Sequence, residues 1–220
     1  MNHLQLQILD PITCERLLER LAHEADWQDG SLTAGAHAKG GKRNSQLNDE
    51  SPLREEIHEL VERAMWNHPV VKGFCLPRKL HRFLISKTEK DGGYETHVDN
   101  AYMSSGRSDL SFTLSLTDET RYEGGELEID SISESFPIKL KQGEIVIYPS
   151  TSLHRVCTVM SGVRTVCVGW IESYVQGEND RICLFQLESG ARAILAKHGR
   201  SDELDLIFLA YTNMLRRLGH

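Results

Sequence analysis

An imidazole and a carboxylate stand two residues apart in the segment GGYETHVDNAY, at His97 and Asp99. In an extended chain successive side chains point to opposite faces, so these two project together while Val98 points away. Such a pair can supply two ligands to a metal ion. A hydrogen-bonded histidine and an Asx-turn at Asp99 would explain the same residues without a metal.

A third ligand is available at His154, which lies in YPSTSLHRV at the start of another β-like segment. Two histidines and one carboxylate on one face of an octahedral metal leave coordination positions open, as in non-haem Fe(II) oxygenases. Those open positions are what would make the site catalytic. A structural histidine after a proline-containing turn is the alternative interpretation.

Arg164 follows His154 by ten residues, inside the apolar segment VRTVCVGWI. An unpaired guanidinium is costly to bury, whereas an arginine can bind a carboxylate through two parallel hydrogen bonds. Arg164 could therefore hold the end of a dicarboxylate that lies far from the metal. A salt bridge or an outward-facing side chain would also account for it.

Ten extended residues cover roughly 33 Å, so His154 and Arg164 can share a pocket only if the chain reverses between them. We expect a hairpin that turns near Gly162. For both side chains to face the same side, that hairpin needs a three-residue loop or a bulge around residues 161–163. In that register Trp170 faces the same side.

The region that must position these residues, from about 79 to 173, consists of short β-like runs separated by glycine-containing turns. This pattern is typical of a β-sandwich or barrel. The runs are KLHRFLISK, DLSFTLSLTD, GGELEID, FPIKLKQGEIVIYP, HRVCTV and RTVCVGWIES.

Helical patterns flank this region on both sides. The helices are expected over residues 11–25, after a cap at Asp10, over 51–67, and over 179–199 and 201–219. Residues 4–9 alternate like a short strand. Residues 30–50 are irregular and could form either a mobile loop over a site or a surface connection. The C-terminal helices could pack on the β core or on a second copy of the chain, which makes a homo-oligomer possible.

Composition restricts the classes of function. The net charge of −7 over 220 residues argues against a broad surface for nucleic acid or anionic lipid. No apolar run approaches the roughly 20 residues that span a bilayer, and the N-terminus does not resemble a signal peptide. The five cysteines contain no C-x-x-C pair, which suits reduced thiols and favours a cytoplasmic protein.

Four features occur in order along the chain: H-V-D at 97–99, G-G-E-L at 124–127, Y-P-S-x-S-L-H at 148–154, and Arg164. Together they resemble the PKHD-type hydroxylases, bacterial relatives of the prolyl 4-hydroxylase catalytic domain among the Fe(II)- and 2-oxoglutarate-dependent dioxygenases. The resemblance is strong over residues 79–173 and looser in the flanking helices, where it includes the tail RICLFQLE.

The resemblance implies a mainly β fold with flanking helices, built on a double-stranded β-helix or jelly roll. The expected organisation is an N-terminal region over 1–78 that packs on the core, a dioxygenase domain over 79–173 and a helical extension over 174–220. It also implies Fe(II) on His97, Asp99 and His154, with 2-oxoglutarate on Arg164. Ascorbate is commonly associated with this family.

In relatives of this fold a hydroxyl group often assists the arginine. The candidates here are Tyr148 and the polar row Ser111, Thr113 and Ser115. That row could equally be the solvent face of a strand whose buried face begins at Leu110.

One feature departs from the family pattern. Thr88 or Lys87 stands where many relatives carry a tyrosine, although Tyr94 remains as a nearby aromatic residue.

The chemistry implied by the resemblance is hydroxylation of an unidentified substrate, such as a protein or amino-acid side chain, with release of succinate and CO2. The carboxylate of Asp99 favours hydroxylation, since halogenating relatives lack that ligand. Two alternatives remain open at this point. One is a non-catalytic sensor of iron or 2-oxoglutarate with the same fold, and the other is a hydrolase that uses zinc at the same ligands.

Overall fold

The computed structural model describes residues 3–33, 41–130 and 135–220. Within these ranges the α-helices are α1 (Pro11–Glu24), α2 (Pro52–Asn67), α3 (Pro69–Cys75), α4 (Glu178–His198) and α5 (Asp202–Leu218). The first strands are β1 (Leu4–Gln7), β2 (Trp27–Asp29), β3 (Lys42–Arg43), β4 (Ser45–Leu47), β5 (Pro77–Leu80), β6 (Leu84–Thr88), β7 (Gly93–His97), β8 (Tyr102–Met103) and β9 (Gly106–Arg107). The later strands are β10 (Leu110–Ser115), β11 (Tyr122–Gly124), β12 (Leu127–Asp130), β13 (Ser135–Ile138), β14 (Glu144–Pro149), β15 (His154–Val156), β16 (Val159–Gly162) and β17 (Arg164–Ser173).

Two antiparallel sheets form the core and face each other across a cavity. The larger sheet has the strand order β1-β14-β10-β17-β6-β4-β2, with β5 paired to β17. The smaller sheet has the order β13-β12-β15-β7-β3. This arrangement is the jelly-roll core expected from the family resemblance, and with the flanking helices it confirms the mainly β fold class.

The central strands of the larger sheet are buried on both faces. On β10, Leu110, Phe112 and Leu114 point outward into the main apolar core, while Ser111 and Thr113 point inward to the cavity. The polar row of β10 is therefore not a solvent face. Alternation along the strand gives one apolar face and one functional face.

Helices α1 and α2 supply the outer part of that core, through Leu17 and Leu21 of α1 and Ile57 and Val61 of α2. The start of α1 is the one expected from the sequence. Asp10 caps it by accepting a hydrogen bond from the Thr13 backbone at 2.9 Å. Pro11 occupies the first turn, where a missing N–H costs nothing.

The C-terminal helices α4 and α5 form a helical hairpin. It rests on the core through a small apolar cluster of Leu76, Val175 and Leu184, against which Tyr211, Leu215 and Leu218 pack. The Ser201 hydroxyl caps α5 by accepting a hydrogen bond from the Leu204 backbone, although no glutamate completes a capping box. In the described ranges no helix is both long and apolar enough to cross a membrane.

The irregular segment 30–50 contains two short strands, β3 and β4. β3 joins the smaller sheet beside β7, and β4 joins the larger sheet beside β6. Residues 34–40 of this segment lie outside the described residues. Whether the segment is a loop over the site or a surface connection therefore stays open.

The prediction of a hairpin that pairs the strands of His154 and Arg164 is wrong. β15 pairs with β7 and β12 in the smaller sheet, whereas β17 pairs with β10 and β6 in the larger one. The chain reverses near Gly162, whose φ is +77°, but there β16 pairs with β11. His154 and Arg164 thus reach one pocket from facing sheets, where hairpin parity does not apply.

Candidate active site

The metal-ligand candidates converge at one end of the cavity between the two sheets. His97 is the last residue of β7 and lies opposite His154, the first residue of β15, with ring centroids 4.2 Å apart. Asp99 follows β7 in a segment without regular secondary structure. The three side chains nevertheless bring one ligand atom each within 4.8 Å of one another.

Hydrogen bonds set which ring nitrogen of each histidine is available. Nδ1–H of His97 donates to the Glu95 carbonyl at 2.8 Å, and Nδ1–H of His154 donates to the Ser152 carbonyl at 3.0 Å. Because a carbonyl can only accept, the lone pair of each neutral ring is on Nε2. His154 Nε2 lies 3.7 Å from Asp99 Oδ2.

Burial keeps His97 neutral. Desolvation, together with the neighbouring His154, lowers the pKa of His97 to about 4. A neutral imidazole is the form that binds a metal. Two Nε2 lone pairs and a carboxylate oxygen, grouped at this spacing, fit a divalent metal with open coordination positions.

A row of serines holds the carboxylate of Asp99. The Ser111 hydroxyl donates to Asp99 Oδ2 at 2.6 Å, and Ser111 and Ser150 hydroxyls lie 2.8 Å apart. Ser108 donates in turn to Ser150 at 2.9 Å. This network joins the metal-ligand candidate to the larger sheet and to the segment 101–108. Neither Ser150 nor Ser108 was identified from the sequence, although Ser150 stands in the Y-P-S-x-S-L-H motif.

Arg164 opens β17 and lines the same cavity with only 5 % of its surface exposed. No carboxylate among the described residues forms a salt bridge with it. Burial lowers its pKa, while a hydrogen bond to the Tyr122 hydroxyl acts in the opposite direction. A buried guanidinium with spare donors is suited to a carboxylate ligand.

Two residues around Arg164 were missed by sequence reasoning. Tyr122 of β11 is the hydroxyl partner of the guanidinium, and Gly125 packs against it. A Cβ on Gly125 would lie 3.0 Å from Arg164 Cδ, and the φ of Gly125 is +68°. The G-G-E-L motif carried that signal, because a glycine pair next to a strand marks close backbone approach or left-handed backbone.

Not all of the hydroxyl residues that were predicted to assist Arg164 line the cavity. Tyr148 and Thr113 both line the cavity, and their hydroxyls are hydrogen-bonded to each other. Burial raises the pKa of Tyr148. Ser115 is not among the residues that line the cavity, and its hydroxyl donates to the Thr117 carbonyl at 2.8 Å. Its role beside Arg164 stays a prediction. Trp170 lies on the cavity side of β17, as expected.

Thr88, not Lys87, occupies the cavity face of β6, directly across from Arg164 in the strand register. Lys87 points the other way and covers the ring of Trp27 at 4.9 Å. Lys42 of β3, which sequence reasoning missed, also lines the cavity and lies 5.2 Å from the ring centre of Tyr94. The cavity has a volume of about 590 Å³. Charged side chains line it at both ends, with Asp99 and Lys42 at the metal-ligand end and Arg164 at the other end.

Comparison with known proteins agrees with this geometry. Residues 80–172 match the sequence model of the 2OG-Fe(II) oxygenase superfamily. Solved structures with the same fold include a Burkholderia pseudomallei oxidoreductase of the 2OG-Fe(II) oxygenase family, with 21% identity and a TM-score of 0.58. That match covers 78% of this chain and 85% of the other. A Pseudomonas putida prolyl-4-hydroxylase matches with 14% identity and a TM-score of 0.54, over 78% of this chain and 92% of the other.

Relatives that align over the whole chain assign it to a narrower family within this superfamily. A PKHD-type hydroxylase of Synechococcus sp. (strain CC9311) is 89% identical over 219 residues, and one of Prochlorococcus marinus (strain AS9601) is 50% identical over 221. Each alignment covers 100% of both chains. The chain belongs to the PKHD-type hydroxylase family and is an enzyme of the 2OG-Fe(II) oxygenase class, for which the family implies Fe(II) and 2-oxoglutarate.

Proposed function

We propose that this enzyme hydroxylates a C–H bond of a protein or amino-acid side chain and converts 2-oxoglutarate to succinate and CO2. The observation that carries the proposal is the pairing, in one cavity, of the His97, Asp99 and His154 triad with a buried Arg164 that forms no salt bridge with a carboxylate among the described residues. Iron and 2-oxoglutarate, when bound, would supply with dioxygen the oxidising equivalents for this reaction.

The chain's own residues would do three things. His97, Asp99 and His154 would hold the metal through Nε2, a carboxylate oxygen and Nε2. Arg164, with the Tyr122 hydroxyl, would bind the distal carboxylate of 2-oxoglutarate, and Thr113 and Tyr148 lie on the wall between them. Anchoring both ends of the cosubstrate would fix its reactive end at the metal.

The substrate would enter beside the metal rather than beside Arg164. Trp170 and Tyr94 line the cavity, and Val98 and Leu153, each next to a ligand candidate, are about half exposed. An apolar rim around a polar interior suits a side chain that inserts from a larger molecule. The Pseudomonas putida neighbour is a prolyl-4-hydroxylase, which makes a peptide-borne side chain a reasonable substrate class here.

Further proposals accompany this function. Ascorbate would maintain activity, as in the family, and the protein would work in the cytoplasm without nucleic acid. The chain would divide into regions 1–78, 79–173 and 174–220. It would also self-associate through its C-terminal helices.

The test is an anaerobic titration of the purified chain with Fe(II) and 2-oxoglutarate, followed by visible absorption. We expect a metal-to-ligand charge-transfer band at one equivalent of each. Asp99→Ala and His97→Ala should abolish the band, whereas His198→Ala, at an exposed histidine on α4, should leave it unchanged. Absence of the band in the unmodified protein would refute the site assignment.

The reaction itself is tested separately. Cell extract should stimulate succinate release by the iron-loaded enzyme in air, and mass spectrometry should detect a product heavier by one oxygen atom. A normal charge-transfer band with no stimulated succinate would exclude catalysis and favour the sensor interpretation. Activity that is retained with zinc but lost with iron would favour a hydrolase.

A further inference from the structure

Helix α5 carries an apolar face that no other part of the described chain covers. Leu206 is 65% exposed and Leu209 is 56% exposed, although both lie well inside the helix. At 3.6 residues per turn they lie on the side opposite Leu204, Tyr211 and Leu215, which face α4 and the core. The helix therefore packs one apolar face within the chain and exposes two leucines on the opposite face.

The exposed face has a regular spacing. Its members, which we call the outer seam, are Asp202, Leu206, Leu209, Asn213 and Arg216. The intervals are four, three, four and three residues, so these side chains lie in one row along the helix, with two leucines inside the row and a charged residue at each end. Ile194 and Leu195, in the last turn of α4, are 44% and 39% exposed and add apolar surface at the free end of the hairpin.

We propose that the outer seam pairs with the same seam of a second copy, antiparallel and about a two-fold axis, so that two helical hairpins form a four-helix interface. Leu209 lies at the centre of the seam, with Asp202 seven residues before it and Arg216 seven after. In an antiparallel pair Leu209 meets Leu209 of the other copy, and each Asp202 faces an Arg216. An isologous interface requires this self-complementarity.

Charge along the helix favours the same occupant. The first turn of α5 carries Asp202, Glu203 and Asp205, and the last turn carries Arg216 and Arg217. Antiparallel pairing places the acidic end of one helix beside the basic end of the other.

The area of the outer seam determines how tightly two copies should associate. A helix of 17 residues is about 25 Å long and 10–12 Å wide, so the footprint with the end of α4 is on the order of 400 Å² per copy. This is below the roughly 800 Å² per partner of a standard interface. The dimer should therefore dissociate on dilution, with a micromolar Kd. It does not depend on the proposed enzyme activity.

Sedimentation equilibrium of the full, metal-free chain tests the proposal, from about 1 to 100 µM to bracket a micromolar Kd. The weight-average mass should rise from the 24.9-kDa monomer toward twice that value. Leu209→Glu should keep the chain monomeric, since it places two carboxylates on the axis. Ile12→Glu, a matched change at a 66% exposed side chain on α1, should leave the association unchanged.

A charge exchange tests the register. Asp202→Arg and Arg216→Asp should each raise the Kd at least tenfold, and the double variant should restore it, because both cross-pairs reform with opposite sign. Circular dichroism would verify that each variant is folded. A chain that is monomeric at all concentrations, or one whose association Leu209→Glu leaves unchanged, would overturn the dimer. A double variant as weak as the single ones would overturn the antiparallel register.

Discussion

Asp99 illustrates how a single side chain depends on its neighbours. Its Oδ2 accepts a 2.6 Å hydrogen bond from Ser111 and lies 3.7 Å from His154 Nε2. The hydroxyl restricts rotation of the carboxylate and leaves the rest of its lone pairs for a metal. Partners of this kind typically change metal affinity by 10- to 100-fold.

We therefore predict that Ser111→Ala weakens Fe(II) binding by about tenfold or more, because a freely rotating carboxylate loses more entropy on binding metal. Ser115→Ala is the matched control, since Ser115 is a buried serine on the same strand that bonds to the Thr117 carbonyl. Anaerobic Fe(II) titration of both variants measures the effect. Equal iron affinity in the two would show that Ser111 does not orient Asp99.

Arg164 is a buried cation at the opposite end of the cavity from the carboxylate of Asp99. Removing its guanidinium should remove the charge-assisted bonds to a carboxylate, each worth roughly 1.5–3 kcal/mol. Arg164→Ala should thus weaken 2-oxoglutarate binding by at least about tenfold and spare Fe(II), and Tyr122→Phe should weaken it less. Calorimetric titration of 2-oxoglutarate into the metal-loaded protein measures both. An equal loss of iron affinity would indicate that Arg164 is structural.

At the scale of elements, the loop between β11 and β12 shapes the arginine end of the cavity. Gly124 and Gly125 both have positive φ, at +72° and +68°. A Cβ at Gly125 would also press on Val159 and Arg164, each 3.0 Å away. The backbone of this loop therefore serves as part of the cavity wall.

Gly125→Ala should destabilise the fold by about 1–2 kcal/mol, the cost of left-handed backbone in a residue with a Cβ, and should lower affinity for 2-oxoglutarate. Gly190→Ala is the contrasting change. It lies within α4, where a Cβ meets nothing within 4 Å, so it should stabilise by about 0.5–1 kcal/mol. Urea unfolding and ligand titration would measure the two. Unaltered 2-oxoglutarate binding in the folded Gly125→Ala protein would contradict the packing argument.

At the scale of the whole molecule, the site spans both sheets. His97 and His154 belong to the smaller sheet, while Arg164 and Ser111 belong to the larger one. A metal and a dicarboxylate bound together would connect the two sheets. Ligands that bind only the folded state stabilise it by mass action.

We predict that metal and 2-oxoglutarate together raise Tm more than metal alone. At 100 times Kd a ligand adds about 2.7 kcal/mol, which for a chain of this size is roughly 5–10 °C. 2-Oxoglutarate without metal should have little effect, since only its distal carboxylate is held. Anaerobic thermal unfolding with Mn(II) in place of iron avoids turnover. In Arg164→Ala the shift from metal alone should persist, and loss of that shift would contradict separate anchoring.

Much of this protein is determined by local sequence. Asp10 and Pro11 begin α1, and Ser201 caps α5. Period-two alternation puts Ser111 and Thr113 on one face of β10, and Arg164 and Trp170 on one face of β17, although it does not show which face lines the cavity. The ordered set of H-V-D, G-G-E-L, Y-P-S-x-S-L-H and Arg164 was sufficient to indicate the family and the ligand triad. These features depend on residues adjacent in sequence or on a motif, so no three-dimensional information was needed.

Tertiary structure alone decided which strands pair and what each cavity residue contacts. His154 and Arg164 lie ten residues apart in sequence yet belong to facing sheets, because β15 pairs with β7 and β12 whereas β17 pairs with β10 and β6, strands that are mostly distant in sequence. Tyr122, Lys42 and the Ser108–Ser150–Ser111 row reach the site from segments that are distant in sequence. Their types carry no signal of this, because a hydroxyl or an ammonium acquires its role from the side chains that packing brings beside it.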